Sequence, residues 1–202
     1  MRPGEGQNRS IARDERRAVE KALRATGKVR SILDVGAGNG RWLPVLATKR
    51  RAAIVSLDSS PEQLAAARSG KDVPALVGAV RGDAGALPFP PRSFDLIFCH
   101  ELMPYVRKGG RLRALREMRR VSSRWVIVQY RHREGLSFLW QRLRARVGLE
   151  ATFPKNHLSR GELEAELRRA GLAVRGVAPV GGRFSRSWVI LAESPSPDWM
   201  KD

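Results

Sequence analysis

Three aspartates stand at or near the carboxyl ends of short apolar runs: Asp34 in Ser31-Ile-Leu-Asp-Val-Gly36, Asp58 after Ala53-Ile-Val-Ser-Leu57, and Asp83 shortly after Ala75-Leu-Val-Gly-Ala-Val80. The first lies within Leu33-Asp34-Val35-Gly36-Ala37-Gly38-Asn39-Gly40, a glycine-rich turn between a strand and a helix. Glycines at a strand exit permit a sharp turn and let the backbone approach a ligand closely. The helix that follows offers free N–H groups and the positive end of its dipole. The spacing is G-x-G-x-G, not the G-x-G-x-x-G/A of dinucleotide sites. A carboxylate at the end of the second strand, such as Asp58, can accept hydrogen bonds from both ribose hydroxyls. One aspartate at a strand end is commonly a turn former. Three beside a glycine turn point to a ligand at the carboxyl edge of a sheet, where open α/β folds bind them.

Acid–base chemistry has three histidine candidates, His100, His132 and His157, since imidazole titrates near neutrality. His100 follows the apolar run Phe94-Asp-Leu-Ile-Phe-Cys99. His132 lies in Arg131-His-Arg133 and is expected in solvent, and His157 just precedes a capped helix. The lone Cys99 allows no internal disulfide and supplies no metal cluster, so no metal is expected.

The elements that must position these residues alternate. Besides the runs above, Trp125-Val-Ile-Val-Gln-Tyr130, Leu172-Ala-Val-Arg-Gly-Val177 and Ser187-Trp-Val-Ile-Leu191 predict strands, seven in all. Helical patterns lie between: Ile11 to Ala25; a stripe of Trp42, Leu43, Leu46 and Ala47; Gln63–Ser69 behind Ser60-Pro61-Glu62; and a very basic segment with Leu112, Leu115 and Met118. Ser159-Arg-Gly-Glu162 is a capping box before Leu163, Leu167 and Ala170, with Gly171 as the stop. Such alternation predicts a doubly wound, mostly parallel α/β sheet, and the last two strands, joined across Gly181-Gly182, read as an antiparallel hairpin.

At 202 residues, 42% hydrophobic and 29% charged, the chain is expected to form a single domain with its own core. An N-terminal helix (1–27), a core (28–192) and a Pro/Ser tail (193–202) are its parts. No stretch reaches the roughly 20 apolar residues of a membrane span, and the first residues lack the apolar region of a secretory signal. A cytoplasmic protein is expected.

The chain resembles the class I S-adenosylmethionine-dependent methyltransferases, of the type close to ubiquinone/menaquinone-biosynthesis enzymes. The segments that carry the likeness are Leu33-Asp-Val-Gly-Ala-Gly-Asn-Gly40, Asp58-Ser59, Gly82-Asp83-Ala84 with Leu87-Pro88-Phe89, and Ser93-Phe94-Asp95-Leu-Ile97. The resemblance implies the Rossmann-like methyltransferase fold, a seven-stranded sheet with an antiparallel last strand, and S-adenosyl-L-methionine as cofactor, leaving as S-adenosyl-L-homocysteine. It implies that Asp34, Gly36, Ala37 and Gly38 lie against the methionine part and Asp58 on the ribose. Ser59, Asp83 and Ala84 would then meet the adenine, with His100 and Glu101 beside the methyl group and His100 the candidate catalytic residue. The family's Pro-Gly-Gly turn before the fifth strand is replaced here by Ser122-Ser123-Arg124.

Charge marks the acceptor side. The formal net charge is +18, with a pI near 11.5, and residues 107–146 hold 13 Lys/Arg against only Glu117 and Glu134. The segment 131–158, with Phe138 and Trp140 among arginines, is expected to be a lid that selects the substrate. Its basic face has three readings: a solvated lid, a surface for an anionic membrane or lipid-like acceptor, or an RNA-binding face. Methyl transfer to a small-molecule or lipid-like acceptor is the expected function. The alternatives are an RNA methyltransferase and a non-catalytic binding protein of the same fold.

Overall fold

A computed structural model describes residues 5–69, 73–134, 157–181, 185 and 187–195. Its elements are α1 (Glu5–Ala25), β1 (Ser31–Val35), α2 (Leu43–Leu46), β2 (Ala53–Asp58), α3 (Pro61–Ser69), β3 (Leu76–Arg81) and β4 (Phe94–Cys99). A 3₁₀ turn at Met103–Tyr105 leads into α4 (Lys108–Val121), followed by β5 (Ser122–Arg131), α5 (Arg160–Arg169), β6 (Ala173–Val180) and β7 (Ser187–Glu193). The seven strands form one sheet in the order β3-β2-β1-β4-β5-β7-β6. Every pairing from β3 to β5 is parallel, and β7 runs antiparallel to both β5 and β6. This is the Rossmann-like methyltransferase fold, with the reversed last strand that the hairpin pattern predicts.

Both faces of the sheet are covered, which is why its strands are apolar throughout rather than alternating with polar residues. Successive side chains point to opposite faces. Ile32, Ile54, Leu96, Phe98 and Ile127 meet Ala18, Val19 and Leu23 of α1 and Leu43 and Leu46 of α2. Leu33, Val35, Ile97, Val126 and Val128 meet Leu115 and Met118 of α4 and Leu163 and Leu167 of α5. Each such fully buried side chain contributes about 1.5–3 kcal/mol.

Local chemistry fixes the element ends. Ser159 and Glu162 form the reciprocal capping box on α5, and Gly171, at φ 78°, stops it. The helix around Trp42 is a single turn, shorter than its apolar stripe suggests. Val121 ends α4 and Ser122 begins β5 with no intervening turn, which is what the missing Pro-Gly-Gly permits. Buried Arg111 of α4 contacts both carboxylate oxygens of Glu166 in α5 at 3.2 Å, and the Tyr130 hydroxyl of β5 donates to the same carboxylate. Three elements on one face are thereby tied by one polar cluster.

Candidate active site

Strand order reverses between β1 and β4, and this switch point opens a crevice at the carboxyl edge of the sheet. Gly36, Gly38 and Gly40 have φ of 72°, 54° and 72°, a region that side chains with a Cβ rarely adopt. Gly40 is also closed sterically, because a Cβ there would lie 2.7 Å from Leu43 Cδ1 and 3.2 Å from the Ala67 Cα. The turn is sewn to β2 by the Gly36 and Ala37 N–H groups, which donate to the Leu57 carbonyl at 2.8 and 3.1 Å.

Asp58 is the hub. Its Oδ2 accepts from the Gly38 N–H at 2.8 Å, its Oδ1 from the Ser60 N–H at 3.0 Å, and its carbonyl from the Gly82 N–H at 3.0 Å. Each carboxylate oxygen keeps a second lone pair for a ligand hydroxyl. In front lies a cleft of about 210 Å³. Gly36, Asp58, Ser59, Asp83 and Ala84 line it. Leu57, Leu102 and Val106 supply apolar wall, and Gly110 and Arg113 of α4 close the far side. The Asp83 loop is braced from α4. Arg113 donates to the Gly85 carbonyl at 2.7 Å, and Arg120 donates to the carbonyls of Phe89 at 2.8 Å and Leu87 at 2.9 Å.

Asp34 and His100 lie outside that lining, on the sheet face covered by α1. Asp34 is 2% exposed, and its Oδ2 has no hydrogen-bond partner among the described residues. Burial first, and the Asp58 charge second, push its carboxyl up to about 7. The Ser56 hydroxyl, on the neighbouring strand, is likewise unpartnered. His100 is buried against Trp42, ring centroids 4.4 Å apart, and neither of its ring nitrogens has a partner among the described residues. Burial, helped by the Arg41 charge, lowers its pKa to about 3. A buried polar group without a bond costs about 1–3 kcal/mol. Four such atoms gathered near the carboxyl edge fit the polar end of a bound small molecule.

Glu101, the next residue, has φ 61° although it is not glycine, a strained geometry of the kind that clusters at functional sites. Its N–H donates to Gln129 Oε1 at 3.3 Å. Arg41 pairs with Glu101 at 3.3 Å and, by its other terminal nitrogen, with buried Glu15 of α1 at 2.7 Å. Burial raises the Glu15 carboxyl despite that arginine.

The sequence model of the methyltransferase-domain family matches residues 32–124, the span that carries the glycine turn, Asp58, Asp83 and β4. Those residues carry a methyltransferase domain. Solved methyltransferases share the fold across nearly the whole chain. Magnesium protoporphyrin IX methyltransferase of Synechocystis PCC 6803, solved with bound SAH, superposes with a TM-score of 0.75 at 16% identity over 96% of this chain and 90% of that one. The Haloferax volcanii structure of the Trm112 methyltransferase activator with a putative methyltransferase gives 0.67 at 19% identity, over 93% and 95%. Human N-acetylserotonin methyltransferase in complex with SAM gives 0.69 at 17% identity, over 90% of this chain and 52% of that one.

The basic stretch is partly architectural. Arg111, Arg113, Arg119 and Arg120 are each spent on a carbonyl or carboxylate of the fold. Arg107 and Arg116 are exposed, and their side chains make no such bond among the described residues. His132 is not in solvent. It is 4% exposed and stacked on Trp188 at 4.0 Å. Its Nδ1 accepts from the Glu134 N–H and its Nε2 bonds to the Ser185 hydroxyl. The sequence shows only the charges on either side, not the antiparallel pairing of Tyr130 with Trp188 that covers the ring. Phe138, Trp140, Arg142, Arg144 and Arg146, on which the lid expectation rests, lie outside the described residues. Glu15, Arg41, Leu102 and Arg113 belong to no motif, so sequence reasoning misses them.

Proposed function

We propose that the protein transfers a methyl group from S-adenosylmethionine to a small-molecule or lipid-like acceptor. The observation that carries this reading is the Asp58 hub, a carboxylate held by the glycine turn and facing an apolar-walled cleft with Asp83 on its rim. When bound, S-adenosylmethionine supplies an electrophilic methyl on a sulfonium, and the protein's task is chiefly to position the reactants. Asp58 holds the ribose hydroxyls, and Ser59, Ala84 and Leu102 enclose the base. Asp34 and the turn at Gly36, Ala37 and Gly38 receive the amino-acid end.

His100 stays uncharged at neutral pH, because burial lowers its pKa to about 3. It serves as a hydrogen-bonding wall rather than as the proton acceptor, since an efficient base titrates near the working pH. Glu101 has a half-exposed side chain and an ion pair to Arg41, so it is the better-placed group to take a proton from an acceptor. A small acceptor is supported by the relatives with magnesium protoporphyrin IX and N-acetylserotonin in their names. Exposed Arg113 on the cleft lining, whose bond to the Gly85 carbonyl uses only its Nε, favours one that carries negative charge or lies at an anionic surface.

Titration calorimetry and thermal melting with S-adenosylhomocysteine test the cofactor, because a ligand of the native state alone raises the melting temperature. Saturable binding with a melting shift is expected. No shift at millimolar ligand refutes the reading.

A further inference from the structure

The opposite edge of the sheet holds a second site. It lies about 20 Å from the crevice, six residues of strand at about 3.3 Å each. A groove of about 670 Å³ opens there among the starts of β1, β4 and β5 and the end of β7. Four cations line it, Lys28, Arg30, Arg92 and Arg124, against two carboxylates, Asp95 and Glu193.

Both carboxylates are already engaged. Asp95 accepts from the Arg30 N–H at 2.8 Å and from the Ser123 hydroxyl at 3.2 Å. Glu193 pairs with Arg175 at 2.7 Å and with Arg124 at 3.5 Å. The Lys28 side chain and the Arg30 guanidinium have no partner among the described residues, and Arg92 gives one terminal nitrogen to the Ser123 carbonyl at 3.2 Å. Arg92 is also held at φ 60°, where a non-glycine backbone is strained.

An aromatic ring also lines the groove. Trp125, on its lining, is mostly buried, with its indole nitrogen out of reach of solvent, so the ring serves as a wall and a reporter rather than as a donor. The Arg124 guanidinium lies over the same ring, 4.9 Å from its centroid. Surplus donors, surplus positive charge and satisfied carboxylates suit one chemistry, an oxyanion that accepts several hydrogen bonds at once.

We propose that this groove binds a phosphate group, seated among Lys28, Arg30 and Arg92 with the Trp125 ring beside it. It is separate from the methyl-transfer crevice and does not depend on the cofactor reading. The ligand is a free phosphate or phosphomonoester, or one phosphodiester of a nucleic-acid strand.

The test is a titration of the full ¹⁵N-labelled chain with sodium phosphate, with sodium chloride at matched ionic strength as control, read at the tryptophan indole N–H resonances. Trp125→Phe identifies the resonance, and the double variant Arg30→Gln/Arg92→Gln removes the charge. Phosphate should move the Trp125 resonance saturably, chloride should not, and the double variant should bind at least about tenfold more weakly, as expected when hydrogen bonds to charged groups are lost. A resonance that stays still, moves equally with chloride, or titrates alike in the double variant overturns the site. If Trp125→Phe does not fold, the double variant alone decides, because it shows which indole loses its response. A parallel titration with oligouridylate distinguishes the sources. Tighter binding with a steep salt dependence assigns a nucleic-acid phosphate, and binding of inorganic phosphate alone assigns a free one.

Discussion

Replacing Asp34 by asparagine tests the electrostatics of the crevice most directly. Asp34 is buried beneath α1 with one oxygen unpartnered, and its folded-state carboxyl is raised from 3.8 to about 7. A raised acid binds its proton more tightly when folded, so its contribution to stability is largest at low pH. That contribution is lost as pH climbs from about 4 through about 7. Between pH 5 and pH 8 the active part of the window is about two units at about 1.36 kcal/mol each, close to 3 kcal/mol. Asparagine keeps the shape and does not titrate, so Asp34→Asn lacks this slope. In a chain of this size, 3 kcal/mol corresponds to about 6–12 °C of melting temperature. Thermal denaturation of both proteins without ligand, at pH 5 and pH 8 and equal ionic strength, measures it. The variant should gain several degrees on wild type at the higher pH. Parallel pH dependences would show that Asp34 is ionised and compensated, and would refute the burial argument.

Asp58→Ala should weaken S-adenosylhomocysteine binding by about 1.5–3 kcal/mol, the worth of hydrogen bonds to a charged acceptor, while the cooperative melt survives; calorimetry and melting together check it. Gly40→Ala, with its Cβ forced to 2.7 Å from Leu43 and a backbone φ of 72°, should cost about 1–3 kcal/mol in urea denaturation. Glu166→Leu should cost about 3–5 kcal/mol by stranding buried Arg111, and the double replacement Arg111→Met/Glu166→Leu should recover most of the loss.

How far the sequence reveals this molecule depends on whether a feature is local. The seven strands are visible because each is a short run of β-branched, aliphatic and aromatic residues. Gly171 and the Ser159–Glu162 box are visible because capping acts within four residues. Asp58 and Asp83 are legible from their places after strands. Arg41 is not, because its partners Glu15 and Glu101 lie 26 and 60 residues away. The burial of His132 depends on a pairing with β7, more than 50 residues on. The far groove draws Lys28, Arg92, Arg124 and Glu193 together only through strand order. The arginines of α4 show the same limit: composition counts their charge but not the carbonyls that four of them hold.

The placement of β7 between β5 and β6 bears on how the chain is made. Synthesis proceeds from the N-terminus at about 5–20 residues per second, so β6 leaves the ribosome before the strand it pairs with. Until Ser187–Glu193 arrive, β6 has no ladder to join and the outer edge of β5 stays open. Unpaired edges of this kind template association between chains. The sheet therefore cannot be completed progressively during translation. Its closing event waits for the seven residues of β7, and a nascent chain stalled just before them presents two sticky edges to its neighbours on the same message.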